Sequence, residues 1–158
     1  MRNTRLGFVR QQGFTVSQLD HGLYTALMFQ PRVIAGLVLI GAVTQSPRLF
    51  LALSAALWLS AIAPARNPFN AFHNRLLARR WQQPPLDGAP PPRRFAMFIA
   101  ATMTLIIGAG LLAGATTTAR VVEGLFAAAV AAVIGARFCT GSYLHYLLFG
   151  RTSACVRM

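Results

Sequence analysis

Cys139, Ser142, Tyr143 and Tyr146 fall at i, i+3, i+4 and i+7, the spacing that puts four side chains on one face of a helix. A thiol followed three residues later by a second thiol would read as redox or metal chemistry. Here the run is Cys139-Thr140-Gly141-Ser142, and a hydroxyl stands where the second thiol would be. Cys139 is thus a candidate catalytic thiol for redox or sulfur handling, set against the plainer reading of a small packing residue. His73 and His145 form a second candidate pair. Two facing imidazoles can hold a haem or a metal, whereas interfacial histidines also bond to backbone or to lipid headgroups. Asn67, Asn70 and Asn74 flank His73 and can cap helices or line a polar pocket. Arg137 either reaches lipid phosphates or holds an anionic or quinone-like ligand. The candidate ligand- or headgroup-binding set is therefore Asn67, Asn70, His73, Arg137, Tyr143 and His145. No residue is assigned to a metal, and no cofactor is specified.

The background to these residues is unusually apolar. Of 158 residues, 55% are hydrophobic and 11% charged, against about 25% charged in soluble domains. So little charge cannot cover a water-facing surface, which makes lipid the expected solvent for much of the chain. Fifteen basic residues, all arginine, face three acidic ones, for a net charge of +12. The arginines punctuate the ends of apolar runs and form no stripe interleaved with aromatics, so anionic headgroups are expected as their partners and nucleic acid is not. The N-terminal MRNTRLGFVRQQGF has no apolar core and no small-residue cleavage site, unlike a cleavable signal peptide.

Four apolar runs supply the scaffold. Residues 1–30 are a basic segment followed by an i, i+4 apolar pattern from Ser17 to Met28. That pattern predicts an interfacial helix, or the first part of the next span. Pro31 opens the first span, which ends near Gln45; Ser46-Pro47-Arg48 is a turn and helix start; residues 49–65 are the second span. So short a connection makes 31–65 an antiparallel hairpin. Residues 66–94 form a polar linker with six of the arginines, an interfacial helix over 71–81 capped by Asn70, and a Pro-rich loop over 84–92. Residues 95–115 carry no charge and are the clearest span; Thr116-Thr117-Thr118 is a turn and cap. The fourth span lies within 121–150, with Arg120 and Glu123 paired near its start, and 151–158 is a basic tail. Gly108, Gly110 and Gly114 permit close helix contact.

Arginine counting puts both termini and the 66–94 linker in the cytoplasm and both tight turns outside. The two halves also resemble each other. NPFNAFHNRLL overlays FCTGSYLHYLL, with the histidines matching across a one-residue gap, as a parallel duplication would give. No Walker loop, nucleophile elbow, zincin motif or dinucleotide fingerprint is present. No carboxylate pair lies inside a span, which argues against an ion pump.

Residues 67–77 (NPFNAFHNRLL), PPRRFA at 91–96 and RFCTGSYLHYLL at 137–148 resemble a bacterial membrane family, domain of unknown function 4395. That resemblance implies an integral membrane protein with an F-C-x-x-C motif near its end; this chain departs from the motif at Ser142. The expected fold is all-α: one domain of four transmembrane helices in two hairpins, with interfacial helices before the first span and in the central loop. The expected function is that of a small bacterial inner-membrane protein, an accessory or scaffolding subunit of a larger membrane complex. Its expected partners are the lipid bilayer and other membrane subunits. The competing readings are a thiol-redox or sulfur-handling protein using Cys139, and a quinone, lipid or haem binder.

Overall fold

A computed structural model describes residues 2–14, 21–80, 82–86 and 88–150. Its helices are α1 (Arg2–Gln11), α2 (His21–Leu27), α3 (Phe29–Thr44), α4 (Pro47–Ile62), α5 (Pro68–Phe72), α6 (Pro91–Leu112), α7 (Thr116–Gly135) and α8 (Thr140–Phe149). No strand occurs among the described residues. Three helical stretches are long and apolar enough to cross a membrane: Gly22–Thr44, Pro91–Leu112 and Thr116–Gly135. The fourth apolar helix, α4, is shorter, at 16 residues. In α7 only 22% of the apolar window is buried against the rest of the chain. Its outward face, like those of α3 and α6, is therefore apolar too, with Val121, Leu125, Leu39, Val43 and Leu112 exposed. A bilayer is the solvent that suits such faces.

The helix ends follow local chemistry. Ser46 accepts the Leu49 N–H at 3.4 Å and Pro47 opens α4, as the turn in the sequence predicts. The α6–α7 connection closes through Gly114 at φ +75°, with the Ala115 N–H bonded back to the Gly110 carbonyl at 2.9 Å. Helix α7 then begins at Thr116 without a side-chain cap.

Helix α6 is central and packs on α4, α7 and α8. Its pairing with α4 is antiparallel. A Cβ at Gly108 would meet Leu51 at 2.8 Å, Ser54 Oγ donates to the Ala101 carbonyl at 2.9 Å, Trp58 packs edge-on to Phe98 at 4.7 Å, and Arg94 Nε donates to the Ala61 carbonyl at 2.9 Å. The last of these satisfies a carbonyl that the end of α4 leaves free. The two halves are thus joined by α4 against α6 across the middle, beyond the linker that connects them in sequence. The core runs along this seam through Phe50, Leu53, Leu57, Ala101, Ile107 and Phe126.

Three expectations change in detail. The predicted interfacial helix before the first span falls partly on residues 15–20, outside the described residues. Its remainder, from Gly22, runs with α3 as one apolar stretch of 23 residues, in line with the second of the two readings, the first part of the next span. The linker helix starts at Pro68, not at 71, because Asn67 is the cap: its side chain accepts the N–H groups of Phe69 (2.9 Å) and Asn70 (3.3 Å). This helix continues as a π-helical turn, His73–Leu77. The fourth span is not one helix to 150. It ends at Gly135, the helix breaks at Arg137, whose φ is +55°, and α8 starts afresh with Cys139 at its cap. Helix α1, which no apolar periodicity in the sequence announces, buries Phe8 and Val9 against α2.

Candidate functional site

The start of α3, the second half of α4, the starts of α6 and α8, the second half of α7, and α1 with the turn after it meet around one space. There they enclose a cavity of about 330 Å³. Its wall is mostly aliphatic and aromatic, from Phe8, Ile34, Leu57, Ala100, Phe126 and Val130. Its polar groups are Gln12, Gln30, Arg93, Cys139 and Thr140.

Arg93 is the third residue of α6 and is 5% exposed. One of its terminal nitrogens donates to Gln30 Oε1 at 2.9 Å, and Gln30 Nε2 donates in turn to the Met97 sulfur at 3.4 Å. Asn67 Nδ2 reaches the same sulfur at 3.8 Å. Among the described residues that line the cavity there is no carboxylate. A guanidinium carries five donors and a permanent charge, and a buried charge is costly unless it meets an opposite one. Arg93 therefore brings an electrostatic demand for an anion, or for a strong acceptor, into an otherwise apolar chamber.

Cys139 reaches this wall because α8 approaches α6 closely. A Cβ at Gly141 would stand 2.8 Å from Ala96 Cα, so only glycine lets the two backbones meet here. Ser142 Oγ lies 3.4 Å from Cys139 Sγ and 3.3 Å from the Pro92 carbonyl. The Gln11 side chain clasps the cap: its Oε1 accepts the Cys139 N–H at 2.9 Å and its Nε2 donates to the Cys139 carbonyl at 3.2 Å. Tyr146 adds a bond from its hydroxyl to the Arg10 carbonyl at 3.2 Å. Helix α1 is thereby tied across the mouth of α8.

Of the residues singled out in the sequence, the cavity takes in Cys139 and no other. Arg137 stacks over Tyr24 at 5.7 Å, and Tyr143 is exposed with its ring 5.3 Å from Phe138. His73 is buried, hydrogen-bonded to Gln83 Oε1 at 2.8 Å and Asn74 Oδ1 at 3.3 Å, beside Phe29. His145 is buried against Phe95, and its Nδ1 has no hydrogen-bond partner among the described residues. Asn74 ties the linker through two bonds to the Leu86 backbone, at 2.8 and 3.2 Å. The described residues contain no cluster of three histidine, cysteine or carboxylate groups that would hold a metal. Glu123 is buried and takes a 3.4 Å bond from Gln45, where the sequence suggested Arg120 as its partner.

The internal repeat comes into register at the caps. Asn67 and Cys139 each start a short helix after a pair of apolar helices. Asn70 and Ser142 follow three residues on, and His73 and His145 six residues on, all four buried. Aligned this way, no gap is needed. The same position is an asparagine cap in one half and a thiol on a cavity wall in the other.

The family described as Domain of unknown function (DUF4395) matches residues 25–149. This chain belongs to the DUF4395 family. No curated protein and no solved structure matches it. The DUF4395 region contains Gln30, Arg93, Met97 and Cys139, whereas the α1 clasp lies before it. Arg93 is the residue that sequence reasoning missed. In the sequence it reads as a topology charge, although Arg93, Met97, Ala100 and Met103 recur at i, i+4, i+7 and i+10, on one face of α6.

Proposed function

We propose that this protein is a membrane-embedded binding protein for an amphiphile whose anionic head meets Arg93 and Gln30 and whose apolar tail occupies the cavity. The observation that carries the reading is Arg93 itself: a guanidinium 5% exposed, bonded to a neutral amide, facing an apolar chamber with no carboxylate among its described lining residues. A bound anion would turn that unfavourable burial into charge-assisted hydrogen bonds, roughly twice as strong as neutral ones. The volume, about 330 Å³, falls in the range of small-molecule sites. Leu125 and Leu144 line the cavity and are 60% and 38% exposed, so the entrance lies between α7 and α8, on apolar surface. The ligand would enter sideways from lipid.

The host is proposed to be the bacterial inner membrane. Its arginine-rich face, with Arg66, Arg94 and Arg137, would lie on the cytoplasmic side together with both termini, as charge distribution favours. Purification in mild detergent, followed by mass analysis of everything extracted with the protein, tests the proposal. The expected result is an acidic amphiphile at near-stoichiometric amount, absent from Arg93→Met. A stoichiometric second protein with no small molecule would instead support the accessory-subunit role.

A further inference from the structure

We infer that Cys139 is a one-thiol acceptor that exchanges with a disulfide carrying an anionic group, with Arg93 holding the anion while the sulfur is transferred. The inference rests on the ligand reading of the cavity and adds a reaction to it.

Cys139 and Arg93 line the same chamber. The thiol belongs to a residue whose backbone is fixed on both sides by Gln11. Its sulfur is oriented by the Ser142 hydroxyl at 3.4 Å. The buried guanidinium is the independent sign that a ligand belongs there, since the described lining residues offer it a neutral amide, Gln30, and no opposite charge. A disulfide with an anionic group would place that group on Arg93 and its sulfurs within the chamber.

The step balances without an external oxidant. The deprotonated Cys139 sulfur attacks one sulfur of the ligand's disulfide, a new S–S bond forms to Cys139, and the old S–S bond breaks. The departing sulfur leaves with the electron pair and takes up the proton that Cys139 lost. Ser142 then decides the fate of the product. A thiol at its position would lie within disulfide reach of Cys139 and expel the bound half; a hydroxyl cannot. The mixed disulfide persists until a thiol from another molecule attacks it. The site is thus built to hold one half of its substrate covalently and pass it on.

The test uses the full chain carrying Cys155→Ser, so that Cys139 is the thiol being read. Two methanethiosulfonates are compared in mild detergent, the sulfonatoethyl (anionic) and the methyl (neutral) reagents, by mass shift against time. The ratio of anionic to neutral rates cancels any change in thiolate population. That ratio should be at least about fivefold higher in the otherwise native chain than in Arg93→Gln, with Arg93→Lys keeping most of the preference. Adding Ser142→Cys should convert the stable adduct into an internal disulfide and release the reagent's thiol. An unreactive Cys139, a ratio indifferent to Arg93, or an adduct that Ser142→Cys fails to resolve would overturn the inference. If Arg93-dependent binding of an anionic amphiphile is seen alongside such a failure, only the thiol step falls. If that binding is also absent, the ligand reading falls with it.

Discussion

Arg93 of α6 donates to Gln30 Oε1 of α3 at 2.9 Å, joining the two halves of the chain by a buried bond between a cation and a neutral amide. The pair is the basis on which the cavity is proposed as an anion site. It also makes Gln30 the residue on which tolerance of the charge depends.

Gln30→Leu removes the acceptor and leaves a buried donor unmet, so it should destabilise the protein by about 1–3 kcal/mol. Arg93→Met removes the charge along with the demand and should cost less or even stabilise. The double variant should then resemble Arg93→Met alone. Thermal unfolding of the four proteins in detergent gives the coupling; additive losses would show that the two side chains do not depend on each other.

Gly141→Val should push α8 away from α6, because its Cβ would start 2.8 Å from Ala96 Cα. The expected loss is about 1–3 kcal/mol, as for overpacking in a core. Alkylation of Cys139 should change rate in the same variant, since α8 carries that thiol to the wall. An unaltered melting temperature and alkylation rate would contradict the close approach.

Asn70 is 5% exposed, and both its amide atoms lack a hydrogen-bond partner among the described residues. An apolar side chain of similar volume should suit this place as well or better, so Asn70→Leu should leave stability unchanged or raise it. A loss above about 2 kcal/mol would mean that the amide holds bound water or a ligand.

Much of the architecture was legible in the apolar runs. The Ser46-Pro47 helix start and the charge-free stretch from Phe95 declare themselves through cap chemistry and hydropathy. The site was less legible, for reasons that can be named. Arg93 sits at the head of an apolar helix beside Arg94, where arginine normally marks a membrane boundary; that its side chain turns inward shows only in its burial and its bond to Gln30 of α3. Asn67 and Asn70 compete for one cap, and Pro68 at the first helical position decides for Asn67. The break after Gly135 has no proline to announce it, so Arg137 and Cys139 read as continuing a helix that in fact stops before them and restarts at Thr140.

The most direct test is equilibrium binding of two fluorescent probes with the same long apolar tail, one ending in a carboxylate and one in an alcohol. The native chain should bind the carboxylate at least about tenfold more tightly, a difference of about 1.4 kcal/mol, and Arg93→Met should bind both alike. Equal affinities in the native chain, or a carboxylate preference that survives Arg93→Met, would contradict the assignment of Arg93 as the anion-holding residue of the cavity.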